Sequence, residues 1–312
     1  MLTDDPRVYT NLKDLNSLEH RARGFSFLPR QPVHSILAGR HSSRLRGRGL
    51  NFEEIRGYLP GDDIRNIDWK VTARLRKPHV RVYTEERDRP AILLVDQRIS
   101  MFFGSSVYVK SVTAARLAAL VAWTVFHAGD RVGAVVFNDR EIRMFPPLRS
   151  RRRILEIFQA VVEMNRALDV EDTSRANYGQ LTRALEQVRR LAKHDHLIAI
   201  MSDFAGADDE SARLILQMVQ HNDLFAAVVH DPMAMELGSR GRLVVSEGEL
   251  QVEVDLGDRK EREPLLEFTR ARLQDVVKYL KKLAIPVLPV HTGEDVVEQV
   301  RQMLGHQSEK RF

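Results

Sequence analysis

The chain has 312 residues, 43% of them hydrophobic, which predicts about two domains with a substantial core. It contains no cysteine, which excludes disulfides, cysteine-ligated zinc and a cysteine nucleophile, and fits a reducing compartment. The net charge of +5 is small against 48 basic and 43 acidic residues, so we expect a charge-dense surface and no nucleic-acid partner. No apolar run has the length of a membrane span, and the N-terminus lacks the apolar stretch of a secretory signal. We therefore expect a cytoplasmic protein.

The N-terminal third of the chain separates into two regions. Residues 1–34 are predicted to be peripheral, with one short helix indicated by the three-residue spacing of Leu12, Leu15 and Leu18. Residues 35–90 form a segment dense in charge and glycine that ends in the strand-like HVRVYTEE. At the other end of the chain, residues 306–312 are predicted to be a tail.

Between residues 91 and 305, short apolar runs alternate with helical patterns. The strand-like runs are 92–96, 132–137, 196–204, 224–230 and 285–291. The helical patterns are 108–128, 150–165, 179–193, 208–221, 265–283 and 294–304. Continuously apolar strands between helices predict a doubly wound, Rossmann-like α/β domain with a mostly parallel sheet. RLVVSEGELQVEVD, residues 242–255, alternates in polarity around Glu247-Gly248 and predicts an inserted β-hairpin.

Two aspartates stand at the ends of predicted strands. Asp96 follows the apolar run ILLV, and Asp203 stands in the sequence MSDF. Ligands of such sheets bind beyond the carboxyl ends of the strands, so these two carboxylates are candidates for one shared site. They are equally candidates for capping the loops or helices that follow.

The segment immediately before the first of these strands has a specific pattern. It reads NFEEIRGYLPGDDIRNIDWKVTARLRKPHVRVYTEERDRP, residues 51–90. Here the chain resembles the bacterial and archaeal domain-of-unknown-function family fifty-eight, over roughly residues 20–300. The resemblance rests on Phe52-Glu53-Glu54-Ile55-Arg56, Tyr58, Pro60-Gly61-Asp62-Asp63, Arg65, Ile67-Asp68-Trp69-Lys70, Thr72-Ala73-Arg74 and Glu85-Glu86-Arg87, followed by ILLVD. It implies a von Willebrand factor A-like domain with an extra N-terminal segment, and a partnership with MoxR-type AAA+ ATPases.

Opposite charges alternate within this segment. The acids are Glu53, Glu54, Asp62, Asp63 and Asp68, and the bases are Arg56, Arg65, Lys70 and Arg74. So many opposite charges in a short span favour bidentate carboxylate–guanidinium pairs, and we interpret them as fixing the fold of the segment rather than as catalytic. Trp69 and the isoleucines that interrupt the charges predict that the segment is packed, with Ile64, Ile67 and Trp69 able to anchor it on the α/β domain.

The resemblance also implies a magnesium site, which von Willebrand factor A domains build from Asp-x-Ser-x-Ser, a threonine and a further aspartate. Asp96, Ser100 and Asp203 match this pattern, but Arg98 replaces the first serine. The loop at residues 177–181 lacks the threonine, and Thr173 and Thr182 lie outside the expected position. We expect a metal-free site in which Arg98 pairs with Asp96 and Asp203 and replaces the ion. Weak magnesium binding by Asp96, Ser100 and Asp203 is the alternative.

These patterns lead to a functional hypothesis. We expect a non-enzymatic interaction module, an adaptor or substrate-recruiting partner of a MoxR-type AAA+ ATPase that acts on a client protein. Its contact surface would be formed by Asp96, Arg98, Ser100 and Asp203. The alternative is a metal-dependent hydrolase that uses the Asp96/Asp203 crevice, with Glu53, Glu54 or Asp62 close by. Nucleic-acid binding ranks third, and the P-loop pattern of many ATPases is absent from the sequence.

Overall fold

The computed structural model describes residues 5–23, 50–85, 89–169, 176–232, 242–247, 250–255 and 274–305, together with 263 and 271. Contacts divide the chain into two compact units. The α/β unit comprises Met1–Phe27 and Arg89–Phe312, and the charged unit is Leu28–Asp88. The division at residues 88 and 89 lies close to the boundary drawn from the sequence at residue 90. The glycine-rich basic stretch and the predicted tail lie outside the described residues.

The α/β unit is built on a six-stranded sheet in the order β10-β7-β6-β3-β4-β5. The strands are β3 (Ala91–Asp96), β4 (Val132–Phe137), β5 (Ile142–Leu148), β6 (Leu197–Ser202), β7 (Asp223–His230) and β10 (Val287–His291). All neighbours pair in parallel except β4 and β5. The predicted doubly wound α/β fold is thereby confirmed, and each of the five strand-like runs corresponds to a strand.

Helices cover both faces of this sheet. They are α3 (Lys110–His127), α4 (Arg151–Arg166), α5 (Gly179–Leu191), α6 (Asp209–Val219), α7 (residues 274–282) and α8 (Val296–Gly305). One face of β3, carrying Ile92 and Leu94, shares a core with residues of α5 and α6 and with Leu280 of α7. The opposite face packs on α3. Burial on both faces explains why the strands are continuously apolar rather than alternating.

The N-terminal helix α1 (Leu12–Arg21) is an integral part of this unit. Its first turn is capped by the side chain of Asn11, which accepts a hydrogen bond from the Asp14 amide. Leu15 and Leu18 are buried, and α1 packs on α3 and α4. The predicted helix is present, but its apolar side chains belong to the core, whereas residues 1–34 were expected to be peripheral.

A buried arginine also ties α1 to the unit. Arg116 of α3 donates to the Asp14 carboxylate at 2.7 and 2.8 Å and to Asp295, just before α8, at 2.7 Å. Arg21 of α1 reaches the same Asp295 at 3.0 Å. Three segments distant in sequence are therefore held together by one charge network.

Strand β5 was not predicted from the sequence. It is an antiparallel strand beside β4 and contains Pro146 and Pro147, which are typical of an edge strand because proline cannot donate to a ladder. A bulge accompanies the pairing at Gly133, where an added Cβ would lie 2.5 Å from the Phe145 carbonyl oxygen. Glycine is required at this close approach.

The strand order places a topological switch point between β3 and β6. The chain continues from β3 to β4 on one side and later returns to β6 on the other side. In open α/β sheets this is where the connections diverge and leave a crevice at the carboxyl ends of the strands. Asp96 ends β3, and Ser202 and Asp203 lie at the end of β6.

The inserted hairpin and the charged unit complete the described structure. The predicted hairpin is present as the antiparallel pair β8 (Arg242–Glu247) and β9 (Leu250–Asp255). In the charged unit, β1 (Leu50–Gly57) pairs antiparallel with β2 (His79–Glu85), and between them lie a 3-10 turn (Ile64–Asn66) and α2 (Trp69–Leu75). Among the described helices, none is both long and apolar enough to cross a bilayer.

We predict that α1 contributes strongly to stability. Leu18→Ala should lower the free energy of unfolding by about 2–5 kcal/mol, the usual range for emptying a buried leucine site. The matched variant Leu12→Ala, on the same helix but 37% exposed, should cost much less. Urea denaturation of both variants provides the measurement, and equal losses for the two would show that α1 is not part of the core.

Candidate functional site

The crevice at the switch point contains a closed network of charges. Asp96 is fully buried, and its two oxygens accept hydrogen bonds from Arg98 and Ser202. Arg98 binds it through Nε at 3.0 Å and Nη2 at 2.7 Å, the bidentate geometry that carboxylates and guanidinium groups favour. The Ser202 hydroxyl donates to Oδ2 at 2.6 Å. The carboxylate that ends β3 is therefore saturated by groups of the chain itself.

Arg98 is itself buried, with 1% of its surface exposed. Its Nη1 donates to the Ala205 carbonyl oxygen at 2.9 Å, and its guanidinium lies 5.4 Å from the centre of the Phe137 ring. Burial alone would lower the pKa of Arg98, but the charge and hydrogen bonds of Asp96, helped by Asp203 and Asp139, raise it above its ordinary value. The guanidinium is thus a permanent buried cation.

Asp203 forms the second half of the network. The Lys110 ammonium lies 2.7 Å from Oδ2, the Ala205 amide donates to Oδ1 at 2.9 Å, and the Ser100 hydroxyl is 3.4 Å from Oδ1. Arg98 Nη2 is 3.8 Å from the same oxygen. Burial would raise the pKa of Asp203, but the positive charges of Lys110 and Arg98 outweigh it and lower the pKa below its ordinary value. Such a carboxylate is a poor proton acceptor.

Lys110 is a site residue that the sequence analysis missed. It is the first residue of α3, and no acidic residue lies in the first turn of that helix. A cation at a helix N-terminus is unfavourable to the helix dipole, so a lysine there indicates a nearby carboxylate. That signal was present in the sequence, but only the fold reveals that the carboxylate belongs to Asp203.

Asp139 is a second missed residue, and it fixes the loops around the crevice. Its carboxylate accepts from the Ile99 amide at 2.6 Å and from the Asn177 amide at 2.8 Å. It lies just beyond β4, while Ile99 follows β3 and Asn177 precedes α5. One side chain therefore holds together the loops that follow two neighbouring strands and the segment that leads into a helix.

The loop after Asp203 has a strained backbone. Phe204 has a φ of 55°, a left-handed conformation that is uncommon for a residue with a side chain. Gly206 follows with a φ of 76°, and an added Cβ there would lie 2.5 Å from the Cβ of Tyr178. Phe204 is buried, and its amide donates to the Ser202 hydroxyl at 2.9 Å. These contacts hold the turn that directs the Ala205 carbonyl at Arg98.

The donor groups of this crevice do not suit magnesium. A magnesium ion needs oxygen ligands that are free to bind it, and here both Asp96 oxygens are engaged by Arg98 and Ser202. The Thr182 hydroxyl instead contacts Ser211 at 2.8 Å, and Thr173 lies outside the described residues. Within the described ranges, no group of three or more His, Asp or Glu side chains is arranged to hold a metal ion. Magnesium could therefore bind to Asp96 only if the Arg98 side chain left its present position.

The structure brings together the four residues selected from the sequence as a contact surface, but it does not expose them equally. Asp96 and Arg98 are buried, whereas 12% of the Asp203 side chain and 14% of the Lys110 side chain are exposed. Ser100 is half-buried. Asp96 and Arg98 can therefore position a contact surface without touching a partner.

The charged unit contains the kind of ion pairs expected from its sequence. Arg56 donates to both oxygens of Asp62 at 2.8 Å, and Asp62 also accepts from the Leu59 amide. The Arg56 hydrogen bond, followed by that amide, lowers the pKa of Asp62. These contacts close the Pro60-Gly61 turn, in which Gly61 has a φ of 108°.

Asp68 organises the other half of the charged unit. It caps α2 by accepting from the Lys70 and Val71 amides, and it pairs with Arg81 of β2 at 2.8 Å. Asp63 accepts from the Arg65 amide at 2.9 Å. Arg65, Lys70 and Arg74, expected to pair with acids, have no side-chain ion pair among the described residues. Glu53 and Glu54 lie in β1, and their side chains are outside the described part of the chain.

Trp69 is not part of an interior of the charged unit itself, since 70% of the residue is exposed. Ile64 is 66% exposed, and only Ile67 of the three proposed anchors is half-buried. The Thr72 hydroxyl accepts a hydrogen bond from the His79 amide at 3.0 Å, which joins α2 to the start of β2. Whether the charged unit packs on the α/β domain stays a prediction.

Comparison with known proteins gives a family and relatives. A family model described as "Protein of unknown function DUF58" matches residues 54–275, a range that includes Asp96, Arg98, Lys110 and Asp203. The chain is 27% identical over 293 residues to Uncharacterized protein Mb1516 of Mycobacterium bovis and to Uncharacterized protein Rv1480 of Mycobacterium tuberculosis. Each match covers 94% of this chain and 87% of the relative.

We predict strong energetic coupling between Asp96 and Arg98. Arg98→Met should destabilise the protein by about 3–5 kcal/mol, because it leaves a buried carboxylate without its cation. Adding Asp96→Asn should recover part of this loss, giving a coupling energy of about 1–3 kcal/mol in a double-mutant cycle measured by urea denaturation.

The exposed pair Arg152 and Glu156, in which Arg152 is 89% exposed, provides the matched control cycle. The variants Arg152→Met and Glu156→Gln should couple by less than about 0.5 kcal/mol. A coupling between Asp96 and Arg98 no larger than this control would contradict the interpretation of a buried ion pair.

We predict that Asp203 contributes to the acid sensitivity of the protein. Its folded-state pKa is depressed below 3.8, so its stabilising contribution is complete above about pH 4 and is lost as the pH falls below that value. The stability difference between the wild type and Asp203→Asn should therefore shrink on acidification, by at most about 1.4 kcal/mol per pH unit for one proton. Urea denaturation at neutral pH and at several pH values below 4 tests this, and a difference that does not change with pH would refute it.

Proposed function

The chain belongs to the DUF58 family, and from this premise we propose that it is a non-enzymatic protein-interaction module of the cytoplasm. We take its α/β unit to be von Willebrand factor A-like, with a degenerate metal-ion-dependent adhesion site. It acts as an adaptor or substrate-recruiting partner of a MoxR-type AAA+ ATPase in the assembly or remodelling of another protein complex.

The observation that supports this proposal most is the position of Arg98. In the Asp-x-Ser-x-Ser pattern the residue two positions after the aspartate provides a hydroxyl to the ion. Here the same position provides a guanidinium that is bound to Asp96 at 2.7 and 3.0 Å and buried to 99%. The positive charge needed beside the strand end is thus supplied by the chain.

Two carboxylates of the network are each paired with a cation of the chain. The carboxylates of Asp96 and Asp203 face the cations of Arg98 and Lys110, and each carboxylate has a cation within 2.7 Å. A crevice whose cations are already paired with its own carboxylates does not attract a carboxylate from a partner in the way that a metal ion with a vacant position does. A partner would recognise instead the shape and the polar rim formed by Ser100, Lys110 and Asp203.

Rigidity also supports a docking role. The Asp139 carboxylate joins the loops that carry Ile99 and Asn177, and the turn at Phe204 is held by the Ser202 hydroxyl. A contact surface on loops that are fixed before binding loses less conformational entropy when a partner binds. The same contacts engage the carboxylates of Asp96, Asp139 and Asp203 with groups of the chain.

The contacts do not favour the metal-dependent hydrolase considered from the sequence. That reaction needs a cation that activates water, and the carboxylate best placed to bind one is engaged by Arg98 and Ser202. Asp203, whose pKa is lowered by Lys110 and Arg98 despite its burial, is also unsuited to act as a general base at neutral pH.

The test is a binding measurement between the full chain and a MoxR-type AAA+ ATPase of the same organism, without nucleotide, with ADP and with a slowly hydrolysed ATP analogue. We predict binding in at least one nucleotide state, and a loss of about tenfold or more in Ser100→Tyr, which adds bulk at the rim. Lys193→Tyr is the matched control and should bind like the wild type. Lys193 lies shortly before β6, at the amino ends of the strands and so at the end of the sheet opposite to the crevice. Absence of binding in every nucleotide state would refute the partnership, and equal affinities for the two variants would refute the assignment of the surface.

A further inference from the structure

Four polar residues in the interior of the α/β unit form a hydrogen-bonded cluster. They come from four segments: Thr10 precedes α1, Gln97 follows β3, Ser111 lies in the first turn of α3, and Asn165 lies in the last turn of α4. Each of the four is 0% exposed. We call Thr10, Gln97, Ser111 and Asn165 the buried polar cluster. Because it has no access to bulk solvent, its hydrogen-bonding groups must be satisfied inside the protein.

Three hydrogen bonds join the cluster and fix the orientation of both side-chain amides. Asn165 Oδ1 accepts from the Thr10 amide at 2.8 Å, and Asn165 Nδ2 donates to the Ser111 hydroxyl at 3.0 Å. Gln97 Nε2 donates to the Ser111 carbonyl oxygen at 3.0 Å. Turning the Gln97 amide over would place its oxygen against that carbonyl oxygen, so the orientation with Nε2 on Ser111 is the favoured one.

Two atoms of the cluster have no hydrogen-bond partner among the described residues. They are the Gln97 oxygen Oε1 and the Thr10 hydroxyl, and both are shielded from bulk solvent. The amide oxygen requires a donor, whereas the hydroxyl can donate and accept. Folded proteins rarely leave such atoms unpaired, because burying a polar group without a hydrogen bond is unfavourable. The cluster therefore requires a further hydrogen-bonding group.

We propose that the buried polar cluster is a binding site for ordered internal water, which donates a hydrogen bond to Gln97 Oε1 and bonds to the Thr10 hydroxyl. Buried water typically makes about three hydrogen bonds. The Ser111 hydroxyl, which accepts from Asn165, retains a proton that can serve as a further donor. This site lies in the interior of the α/β unit and does not rest on the proposed partnership.

The chemistry of the cluster favours water over other ligands. None of its four side chains is charged, so a buried ion would find no opposite charge there. The unpaired amide oxygen of Gln97 in addition repels an anion. An apolar ligand would leave both atoms unpaired. A small neutral molecule that donates and accepts hydrogen bonds satisfies both of them, and water is such a molecule.

Water at this site links the N-terminal segment to the end of the central strand. Gln97 directly follows Asp96, and its backbone amide donates to the Phe137 carbonyl oxygen at 2.8 Å. Thr10 directly precedes Asn11, whose side chain caps α1. The bound water therefore adds a polar contact to the apolar packing that holds α1 in the unit.

A high-resolution crystal structure of the full chain tests the site directly. We expect electron density for water about 2.5–3.0 Å from the Thr10 hydroxyl and at a similar distance from Gln97 Oε1. Two results would overturn the proposal. One is that both atoms are unpaired and no such density is present, and the other is that the side chains rearrange so that both atoms bond to the chain itself.

Thr10→Val tests the site in solution. The substitution removes the hydroxyl, keeps nearly the same shape, and leaves the backbone amide that donates to Asn165. If water bonds to the hydroxyl, the variant loses a hydrogen bond, and we expect the equilibrium constant for unfolding to rise about fivefold. In a dry cluster the variant would remove an unpaired buried group, so a stability equal to or greater than that of the wild type would overturn the proposal.

Thr113→Val is the matched control. Thr113 is 1% exposed, and its hydroxyl is paired by the chain itself, since it donates to the Val109 carbonyl oxygen at 3.2 Å. Removing it should also raise the equilibrium constant for unfolding, and urea denaturation of the wild type and both variants is the measurement. A loss of stability in Thr10→Val similar to that in Thr113→Val supports the water site. A loss in Thr113→Val alone identifies a dry cluster and contradicts it.

Discussion

The buried ion pair between Asp96 and Arg98 is the interaction on which the rest of the crevice depends. A carboxylate at the end of the central strand β3 has no access to water, so its charge requires a partner. The partner is a guanidinium two residues further along the chain, which approaches with two nitrogens at 2.7 and 3.0 Å. A buried pair of this kind is strongly destabilising only when one member is removed, so the two residues constrain each other.

The surrounding loops are arranged to complete this pair. Arg98 has hydrogen-bonding capacity beyond Asp96, and the Ala205 carbonyl receives its Nη1 at 2.9 Å. That carbonyl is presented by a turn in which Phe204 adopts a left-handed backbone, a conformation that costs of order 1–3 kcal/mol. Ser202 supports both parts, since its hydroxyl donates to Asp96 and accepts from the Phe204 amide. We interpret the strain as offset by satisfying a buried cation.

Much of the fold could be predicted from the sequence. Each buried parallel strand is a short apolar run, and the helical segments between the strands repeat their apolar residues at helical spacing. Strand β5 was not predicted, because Pro146 and Pro147 argue against a strand unless its place at the edge of the sheet is known. The contribution of α1 to the core was not predicted either. Three leucines at helical spacing indicate a helix, but they do not tell which elements cover it, and Leu15 and Leu18 become buried only in the folded chain.

The residues of the candidate site were also predicted only in part. Asp96, Arg98, Ser100 and Asp203 could be selected because strand ends and spacing are local properties of the sequence. Lys110 and Asp139 could not, because they reach the crevice from a helix N-terminus and from a loop after a different strand, and only the strand order brings them there. Trp69 was expected to anchor the charged unit on the α/β domain, and this stays a prediction, because a short helix with 70% of its tryptophan exposed has no interior of its own in which to place the ring.

We propose that the Arg98 guanidinium occupies the place at which an adhesion-type pocket would hold its ion. The most direct measurement is the anomalous scattering of crystals of the full chain soaked in millimolar Mn²⁺. We predict no anomalous peak within bonding distance of Asp96, Ser100 or Asp203, and unbroken hydrogen bonds from Arg98 to Asp96. A peak about 2.1–2.3 Å from the Asp96 carboxylate and the Ser100 hydroxyl, with the Arg98 side chain displaced, would contradict the account.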